Sequence, residues 1–456
     1  MFRPVTQGFV LGEFVGKDEK SLKESDECGM IRSGIRLWRI KDVESENGKI
    51  NVPFCLVNMK KPVELLCPAG SMEALKTAYR FGADAVYLGG SFMQLRAKSA
   101  GFTDEALRDA VAHAHALGKK VYVTLNCFAK NEEFERIGDY AKFLHEIGVD
   151  AAIISDIGVI SAVKAAEPRL EVHLSTQANC QNYMAARVYH DLGVKRIVLA
   201  RELTLPEIAE IRAKTPADLD LEAFIHGAMC MAYSGRCLIS SYLSGRSGNR
   251  GECAQPCRWN FSLMEEKRPG EYFPVEEEDG FTAIMSSHDM NTIDIVDQIV
   301  EAGVSSLEIE GRMKTPYYIA TVARAYRMRL DGIDPALCAK ELDYVSHRPY
   351  STGFYFNDEK YTPYNDGLYH QEKRVAAVVL AAEDGVLTVE QRNLFSLGDK
   401  LELLAPGVPM EGFVVESMTT LDGEAVTRAP HPRQILKIPC SVPAAPGDML
   451  RMDYTQ

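Results

Sequence analysis

Long apolar runs are missing from this 456-residue chain: no uninterrupted stretch approaches the ~20 residues that a membrane-spanning helix requires. The first twenty residues also lack the basic segment followed by an apolar segment that marks a secretory signal. Basic residues are few, since 51 Lys and Arg against 64 Asp and Glu give a formal net charge of −13. This charge argues against broad nonspecific binding to nucleic acid but allows a local basic patch. We therefore expect no membrane partner and a cytoplasmic location.

The common motifs of hydrolases and dinucleotide-binding enzymes are absent as well. The chain contains neither the HExxH motif of zinc proteases nor the GxSxG motif of serine hydrolases. Residues 68–71, directly after the first predicted strand, read Pro-Ala-Gly-Ser and do not match the GxGxxG fingerprint of a dinucleotide site. Ser234 and His226 lie eight residues apart, but this spacing does not define a Ser–His–acid geometry. A proteolytic function therefore gains little support from the residues.

The chain does have the composition of a globular protein, with 46% hydrophobic and 25% charged residues. Its length is about three times the usual ~150-residue domain, which allows two to three domains, or one large domain with an appendage. The 11 cysteines are an odd number. In a large chain without a secretory signal, they indicate reduced thiols or a metal site.

From Val63 onward, short apolar runs alternate with longer amphipathic stretches, and several of these stretches end at a glycine. The predicted strands are Glu64–Cys67, Ala85–Leu88, Lys120–Leu125, Ala151–Ile154, Glu171–Leu174, Arg196–Leu199, Leu221–Ile225 and Ser306–Ile309. Eight strand–helix units predict an α/β fold, a closed (β/α)₈ TIM-like barrel of the usual ~250 residues. An open, doubly wound sheet is the alternative, because strand count alone does not show closure.

The domain boundaries follow from changes in this pattern. An N-terminal extension is either poorly ordered or a short β-rich cap, since residues 35–40 alternate like a strand. A Cys-rich insertion follows strand seven, and turn-punctuated alternation at the C-terminal end predicts a small all-β barrel domain. We divide the chain into the extension 1–58, the barrel 59–332 with its insertion 226–285, a connector 333–373 and the β domain 374–456.

In a (β/α)₈ barrel, the residues just past each strand form the active face. Here they include Gly70, Gly89, Asn126, Asp156, Gln177, Arg201, Glu202, His226, Glu310 and Arg312. Asp156 and Ser175 fit equally well as caps of the helices that follow. Our candidates for catalysis and ligand binding are His226, Arg201, Glu202, Glu310 and Arg312.

The two arginines of this set predict a site for a small anionic metabolite. The planar guanidinium of arginine can bond both oxygens of a carboxylate, so Arg201 and Arg312 suit such a ligand, with His226 nearby. Glu202 and Glu310 could instead neutralise the arginines as structural ion pairs.

Four cysteines fall within 28 residues of the insertion, with the spacing C-x6-C-x15-C-x3-C. They are Cys230, Cys237, Cys253 and Cys257. Four thiolates suit an iron–sulfur cluster or a structural zinc, and since only the second pair has the short zinc-knuckle spacing, the pattern favours iron–sulfur. The alternative is four reduced cysteines that bind nothing. Among the others, Cys67, Cys127 and Cys180 fit the core, Cys338 and Cys440 look structural, and Cys67 or Cys127 could replace one loop ligand.

The same insertion is locally basic. It carries four arginines against one acid: Arg236, Arg246, Arg250 and Arg258, and Glu252. Such an island predicts binding to RNA phosphates, although a solvated loop or packing around the thiolates would use the same residues. In the connector, Tyr350, Tyr355 and Tyr361 could stack on single-stranded bases, or could pack the two domains together.

Several motifs resemble one known family. Residues 65–70 (LLCPAG), 82–89 (GADAVYLG), 309–314 (IEGRMK) and the block HGAMCMAYSGRC…GECAQPCRW are similar to the collagenase-like peptidase family of unknown catalytic type, number 32 of that class. The resemblance spans residues 62 to the C-terminal end. Within the family, the layout is most similar to the bacterial branch that hydroxylates uridine at the tRNA wobble position. Relatives hydroxylate ribosomal RNA or serve ubiquinone hydroxylation.

The resemblance implies an iron–sulfur-dependent RNA-modifying enzyme with tRNA as its partner. It implies a 4Fe–4S cluster on Cys230, Cys237 and Cys253, with Cys257 as the fourth ligand unless another residue replaces it. It also implies prephenate as a required metabolite, and dependence on iron–sulfur assembly machinery. The alternatives are a collagenase-like peptidase and a non-catalytic iron–sulfur scaffold that assists a partner hydroxylase.

Overall fold

The computed structural model describes residues 63–95, 101–230, 233, 235–259, 288–356, 369–407, 412–440 and 442–454, together with six short strands outside these ranges. Residues 1–62 form a compact unit of their own. In it, Cys28–Ile31 pairs antiparallel with Ile35–Trp38, and Glu44–Ser45 pairs with Gly48–Lys49. The alternating residues 35–40 therefore contain a strand, as their pattern indicates.

Eight parallel strands form the central sheet of the second unit. They are β1 (Glu64–Pro68), β2 (Ala85–Gly89), β3 (Lys120–Leu125), β4 (Ala151–Ile154), β5 (Glu171–Leu174), β6 (Arg196–Val198), β7 (Asp220–Ala228) and β8 (Ser306–Ile309). Strands β1 to β6 pair in chain order, β8 pairs with β1, and β7 pairs with β8. A further parallel pairing of β6 with β7 closes the ring. The predicted (β/α)₈ barrel is confirmed, and the open sheet is excluded.

Helices connect successive strands of the barrel: α1 (Met72–Arg80), α2 (Asp104–Ala116), α3 (Phe134–Glu146), α4 (Ile157–Ala166), α5 (Tyr183–Asp191), α6 (Leu205–Lys214) and, before β8, α8 (Val296–Glu301). The short helix α7 (Ile239–Ser244) belongs to the Cys-rich insertion, and α9 (Pro316–Leu330) and α10 (Pro335–Leu342) follow β8. Among the described residues, every helix is too short or too polar to cross a lipid bilayer.

Local signals place the ends of these helices. Asp156 caps α4 by accepting hydrogen bonds from the backbone of Gly158 and Val159, and Ser175 caps a single 3₁₀ turn after β5. Five predicted helix-ending glycines all adopt positive φ, which glycine tolerates best: Gly82, Gly118, Gly148, Gly193 and Gly303.

Buried polar side chains occupy the interior of the barrel toward the N-terminal ends of the strands. An arginine, Arg196, is buried there and donates to Glu64 at 2.5 Å and to Glu222 at 3.0 Å. Ser306 donates to the same two carboxylates at 2.9 and 3.0 Å. Tyr122 completes the network with a 2.7 Å bond to Glu64. These contacts pair charges that would be costly to bury alone.

A small extension of the sheet lies beside the C-terminal end of β7. Residues Asp289–Asn291 pair antiparallel with β7, and Tyr350–Ser351 pairs in parallel with them. A buried ion pair joins the two segments, because Arg348 lies 2.6 Å from Asp289. The long insertion between β7 and β8 therefore leaves and returns at the same corner of the barrel.

The C-terminal domain is an antiparallel half-barrel, which confirms the predicted all-β class. Its strands are β9 (Lys373–Glu383), β10 (Val386–Gln391), β11 (Lys400–Leu404), β12 (Phe413–Val414), β13 (Thr419–Thr420), β14 (Ile435–Pro439) and β15 (Met449–Asp453). They are ordered β12-β11-β15-β9-β10-β14-β13 around their own apolar core. Within the described residues, no pairing joins β12 to β13.

Ionic contacts hold this domain against the barrel. Glu341 of α10 accepts from Arg451 of β15 at 2.7 and 2.9 Å and from Arg324 of α9 at 3.1 Å. All three side chains are buried. The helix α10 lies within the predicted connector, so part of that connector is a packed element of the barrel.

Candidate active site

A cavity of about 220 Å³ opens at the C-terminal ends of the barrel strands. Four of the five predicted barrel residues line it: Arg201, Glu202, Glu310 and Arg312. All four cysteines of the insertion line the same cavity: Cys230, Cys237, Cys253 and Cys257. The structure therefore brings together the two groups of residues that the sequence offered separately.

His226 is the exception, because it lies outside the cavity lining. Strict alternation along β7 would place it beside Phe224, which does line the cavity, but the register of β7 against β8 shifts between these two residues. The imidazole instead packs among the rings of Tyr318, Tyr326 and Tyr350, with centroids 5.5–6.0 Å away. Burial lowers the pKa of His226 to about 3, so the ring is neutral.

Arg201 follows β6 and is fixed at the cavity by two contacts. Its guanidinium lies 3.7 Å from the centroid of the Phe224 ring. One terminal nitrogen donates to the Ala228 carbonyl at 2.8 Å. The stacked ring and the carbonyl hold the guanidinium plane in one orientation, which is what a carboxylate-binding arginine requires.

Arg312 reaches across the barrel from the end of β8. It donates to the Thr124 hydroxyl at 2.9 Å and to the Leu95 carbonyl at 2.6 Å. The predicted glycines make room for it. A Cβ added at Gly70 would come within 2.2 Å of the Arg312 carbonyl oxygen, and one at Gly89 would come within 2.9 Å of an Arg312 terminal nitrogen. These close approaches give both glycines a structural role at the mouth.

Two acids, Glu202 and Glu310, lie at the mouth beside the arginines. Glu310 accepts a hydrogen bond from the hydroxyl of Tyr87 at 3.1 Å. Burial, followed by the charge of Glu310, raises the pKa of that phenol well above its usual value, so Tyr87 stays a hydrogen-bond donor. Glu202 lines the cavity directly after Arg201.

The sequence interpretation missed one acid of the cavity, Glu308. It lies inside β8 rather than after it, and it is 6% exposed. Its neighbours Leu307 and Ile309 face the outer core, so alternation directs Glu308 into the barrel. The signal for it is a carboxylate within an otherwise apolar stretch of a strand, whereas the sequence candidates all follow the ends of their strands.

The segment that carries the cysteines is folded by its own hydrogen bonds. Asn249 donates to the Cys237 carbonyl at 3.0 Å, and the backbone of Gln255 donates to the Cys253 sulfur at 3.3 Å. Ser240 donates to the Arg246 carbonyl at 2.7 Å and accepts from the backbone of Ala254 at 3.0 Å. The thiols are thus presented from a structured loop at the mouth of the barrel.

The four thiols of this loop are chemically suited to bind a metal centre as thiolates. Four thiols line one cavity, and thiolates are the usual ligands of iron–sulfur clusters and also bind zinc. In the part of the chain that the structure describes, no three His, Cys, Asp or Glu side chains are already arranged as a ligand set. The fit therefore depends on the type of donor and on the shared cavity.

Neither candidate for a replacement ligand lies at this cavity. Cys67 is fully buried in the barrel core, where burial raises the pKa of its thiol. Cys127 is 5% exposed and lines a second, separate cavity, and burial raises its pKa to about 11. Both groups stay protonated thiols, which are poor metal ligands.

The four predicted RNA-binding arginines do not share one environment. Arg236 and Arg246 are exposed, whereas the side chain of Arg258 lies outside the described residues. Arg250 pairs with Glu133 at 2.8 Å and also donates to the Phe128 carbonyl. Its hydrogen bond lowers the pKa of Glu133, so this arginine fastens the Cys-rich loop to the start of α3.

The predicted stacking tyrosines also separate. Tyr355 is 4% exposed and donates to the Phe224 carbonyl at 2.6 Å, so it packs against β7 and does not face solvent. Tyr350 stacks on His347 with centroids 3.9 Å apart, and Tyr361 lies outside the described residues. Exposed aromatic side chains occur instead on the Cys-rich segment itself, at Tyr233, Tyr242 and Trp259.

Two protein-family profiles together match nearly all of the second unit. The profile described as Peptidase family U32 matches residues 70–364, and the profile of the Peptidase family U32 C-terminal domain matches residues 371–451. The tRNA hydroxylation protein P1 of Bacillus subtilis is 38% identical over 408 residues, which cover 86% of this chain and 95% of the relative.

Two relatives from Escherichia coli are similar as well. The tRNA hydroxylation protein P is 35% identical over 82% of this chain and 92% of its own length. The 23S rRNA 5-hydroxycytidine C2501 synthase is 36% identical over 59% of this chain and 40% of its own length. The family resemblance that the motifs carried is confirmed: the chain belongs to peptidase family U32.

Proposed function

We propose that this protein is an RNA-hydroxylating enzyme, and more narrowly that it serves the hydroxylation of uridine at the tRNA wobble position. The observation that carries the proposal is one cavity lined both by four cysteines and by the arginines and acids of the barrel mouth. The two tRNA hydroxylation proteins of Bacillus subtilis and Escherichia coli, of whose length the match covers 95% and 92%, support the choice of RNA as substrate.

In this proposal the cysteines hold an iron–sulfur cluster, with Cys230, Cys237, Cys253 and Cys257 as its ligands. Such a cluster, when bound, supplies electron transfer or a site for substrate activation beside the ligand pocket. Zinc is the second candidate for the same thiols. Acid-labile sulfide measured together with iron and zinc distinguishes the two.

The barrel side of the cavity would bind a small carboxylate, and prephenate is the metabolite that the family resemblance implies. Arg201 is held flat by Phe224 and the Ala228 carbonyl, and Arg312 is held by Thr124 and Leu95. Because both guanidinium groups are fixed before the ligand arrives, little side-chain entropy is lost on binding. These residues bind and orient the anion in the proposed reaction.

The RNA would approach over the exposed part of the Cys-rich segment. Arg236 and Arg246 offer positive charge there, and Tyr233, Tyr242 and Trp259 offer exposed rings on which unpaired bases can stack. Since the chain carries a net charge of −13, phosphate binding is expected to concentrate on this segment.

A matched pair of arginine substitutions tests this surface. Arg246→Ala should reduce the slope of log affinity for tRNA against log salt by about 0.7–0.9, because one phosphate contact is lost, and should leave the melting temperature unchanged. Arg250→Ala should lower the melting temperature, because the Glu133 ion pair and the Phe128 contact are lost. Binding titrations at several salt concentrations and thermal unfolding give both readouts. An unchanged slope in Arg246→Ala would place the RNA surface elsewhere.

The function itself is tested by genetics and by reconstitution. Deleting the gene in its own organism should remove hydroxyuridine from the tRNA, as measured by mass spectrometry of the nucleosides. Purified, iron-loaded protein should then hydroxylate tRNA from that strain, whereas a scaffold would require a partner enzyme. Cleavage of gelatin by the same preparation, with hydroxyuridine intact in the deletion strain, would instead support the peptidase alternative.

A further inference from the structure

Two buried carboxyl groups lie on adjacent strands inside the barrel, Glu222 on β7 and Glu308 on β8. Glu222 is fully buried, and its Oε2 accepts from Arg196 and Ser306, each at 3.0 Å. No N–H or hydroxyl group among the described residues donates to its Oε1. On the paired strand β8, Glu308 lies two residues beyond Ser306, the residue that pairs with Glu222, so the two acids are diagonal neighbours on the inner face of the sheet. Two ionised carboxylates so placed inside the barrel repel each other, which favours a proton on one member of the pair.

The surroundings decide which carboxyl keeps it. Glu222 lies 3.0 Å from the Arg196 guanidinium, and the Ser306 hydroxyl donates to it at 3.0 Å. Glu308 is buried against Glu222, with Glu310 also nearby and Arg201 as the cation that faces it. Burial first, and then the charge and hydrogen bond of Glu222, raise the pKa of Glu308 well above that of an ordinary glutamate. We therefore assign the proton of the pair to Glu308.

Only the protonated member of the pair reaches the cavity. Glu308 lines it together with Arg201 and Arg312, whereas Glu222 lies behind it, in the closed part of the barrel. A ligand whose carboxylate is held by the arginines thus shares the cavity with a carboxylic acid. A neutral carboxylic acid beside the two arginines does not repel a bound anion and can donate a proton to it.

We propose that Glu308 is a catalytic residue of this site, a general acid that donates its proton to an oxygen of the bound carboxylate metabolite. The proposal rests on the ligand site described under the proposed function. In the step, the O–H bond of Glu308 breaks and the ligand oxygen takes the proton. The charge left on Glu308 faces Arg201, while Glu222 keeps its bonds to Arg196 and Ser306. No oxidant or reductant enters this step.

The protonation state can be measured in the free protein. The infrared spectrum of the wild type should contain the carbonyl stretch of a protonated carboxylic acid at neutral pH, and Glu308→Gln should remove it. Glu171→Gln is the matched control, because Glu171 starts β5 at the opposite end of the barrel and is half exposed. This variant should keep the band. A wild-type spectrum without it overturns the proposal.

Stability should depend on pH with a defined sign. The pKa of Glu308 in the folded protein lies above the value of about 4.5 for the unfolded chain, so the folded state keeps a proton that the unfolded state releases. The wild type should therefore lose stability relative to Glu308→Gln as the pH rises above about 4.5, and the two should converge below it. Parallel curves for the two proteins across this range would contradict a protonated Glu308.

Measuring binding and reaction rate separately distinguishes proton donation by Glu308 from a purely structural role. Glutamine keeps the size and the hydrogen-bond donors of Glu308 but has no transferable proton, so Glu308→Gln should bind prephenate within a few-fold of the wild type. Its rate of tRNA hydroxylation should fall by about 10²-fold or more. An active wild type with an equally active Glu308→Gln refutes the general acid and leaves the proposed function intact. A wild type that neither binds prephenate nor hydroxylates tRNA refutes the proposed function and this role with it.

Discussion

Glu341→Gln is expected to lower the free energy of unfolding by about 3–5 kcal/mol, which is the cost of breaking a buried ion pair from one side. Glu341 is the shared acceptor of two buried guanidinium groups, at 2.7–2.9 Å from Arg451 and 3.1 Å from Arg324. Glutamine has nearly the same shape but no charge, so both arginines would remain buried with much weaker partners. Burial already lowers the pKa of Arg324, which shows how unfavourable its charged form is there.

Urea unfolding, followed by fluorescence and by circular dichroism, measures this loss. The matched control is Glu73→Gln, which breaks the ion pair between Glu73 of α1 and Arg392 of the β domain, 2.7 Å apart. This second pair also joins the barrel to the C-terminal domain, but Glu73 is 43% exposed, so the loss should stay below about 1 kcal/mol. Equal losses in the two variants would show that burial does not govern the junction.

The architecture of the barrel could be predicted from the sequence because each strand and each helix end carries a local signal. Four predicted strands, among them Lys120–Leu125 and Ser306–Ile309, match the observed bounds to the residue. Glycines such as Gly82 and Gly303 end helices in the positive-φ conformation that their position suggests. Closure of the sheet has no such local signal, because it depends on the pairing of β6 with β7, two segments that are separate in the chain.

The candidate site could be predicted where a residue follows its strand directly, as Arg201, Glu202, Glu310 and Arg312 do. It could not be predicted where backbone register or long-range pairing decides the outcome. The shift in strand register between Phe224 and His226 turns the imidazole out of the cavity, and no local sequence pattern predicts this shift. Pairing of Arg250 with Glu133 joins residues 117 apart in the chain, so a residue expected to bind RNA is instead an anchor of the loop.

The position of the cysteines shows what spacing can and cannot provide. Their clustering after strand seven of a barrel was enough to predict that they lie at the mouth, because loops at that end share one face. That they line the same cavity as Arg201 and Arg312 depends on how the insertion folds back, through bonds such as that from Asn249 to the Cys237 carbonyl. The combination of thiols and guanidinium groups is what makes the cavity a candidate for chemistry.

Cys237→Ala is expected to abolish bound iron in protein purified without oxygen, and Cys230→Ala and Cys253→Ala should do the same. Each substitution removes one thiolate from a four-thiolate set, and the described cysteines outside the loop do not line the cavity to replace it. Iron, zinc and acid-labile sulfide are to be measured on the same samples. The wild type should contain iron and sulfide in comparable amounts, with little zinc.

The control for this experiment is Cys440→Ser, since Cys440 is buried in the β domain, away from the cavity. Its iron content should equal that of the wild type. Cys257→Ala separates two arrangements, because loss of iron makes Cys257 the fourth ligand, whereas retention assigns that role to another donor. Full iron retention in Cys237→Ala would contradict the cluster assignment. Zinc without sulfide in the wild type would show that the centre is structural. The arginines and Glu308 would then have to support the reaction without a redox centre in the cavity.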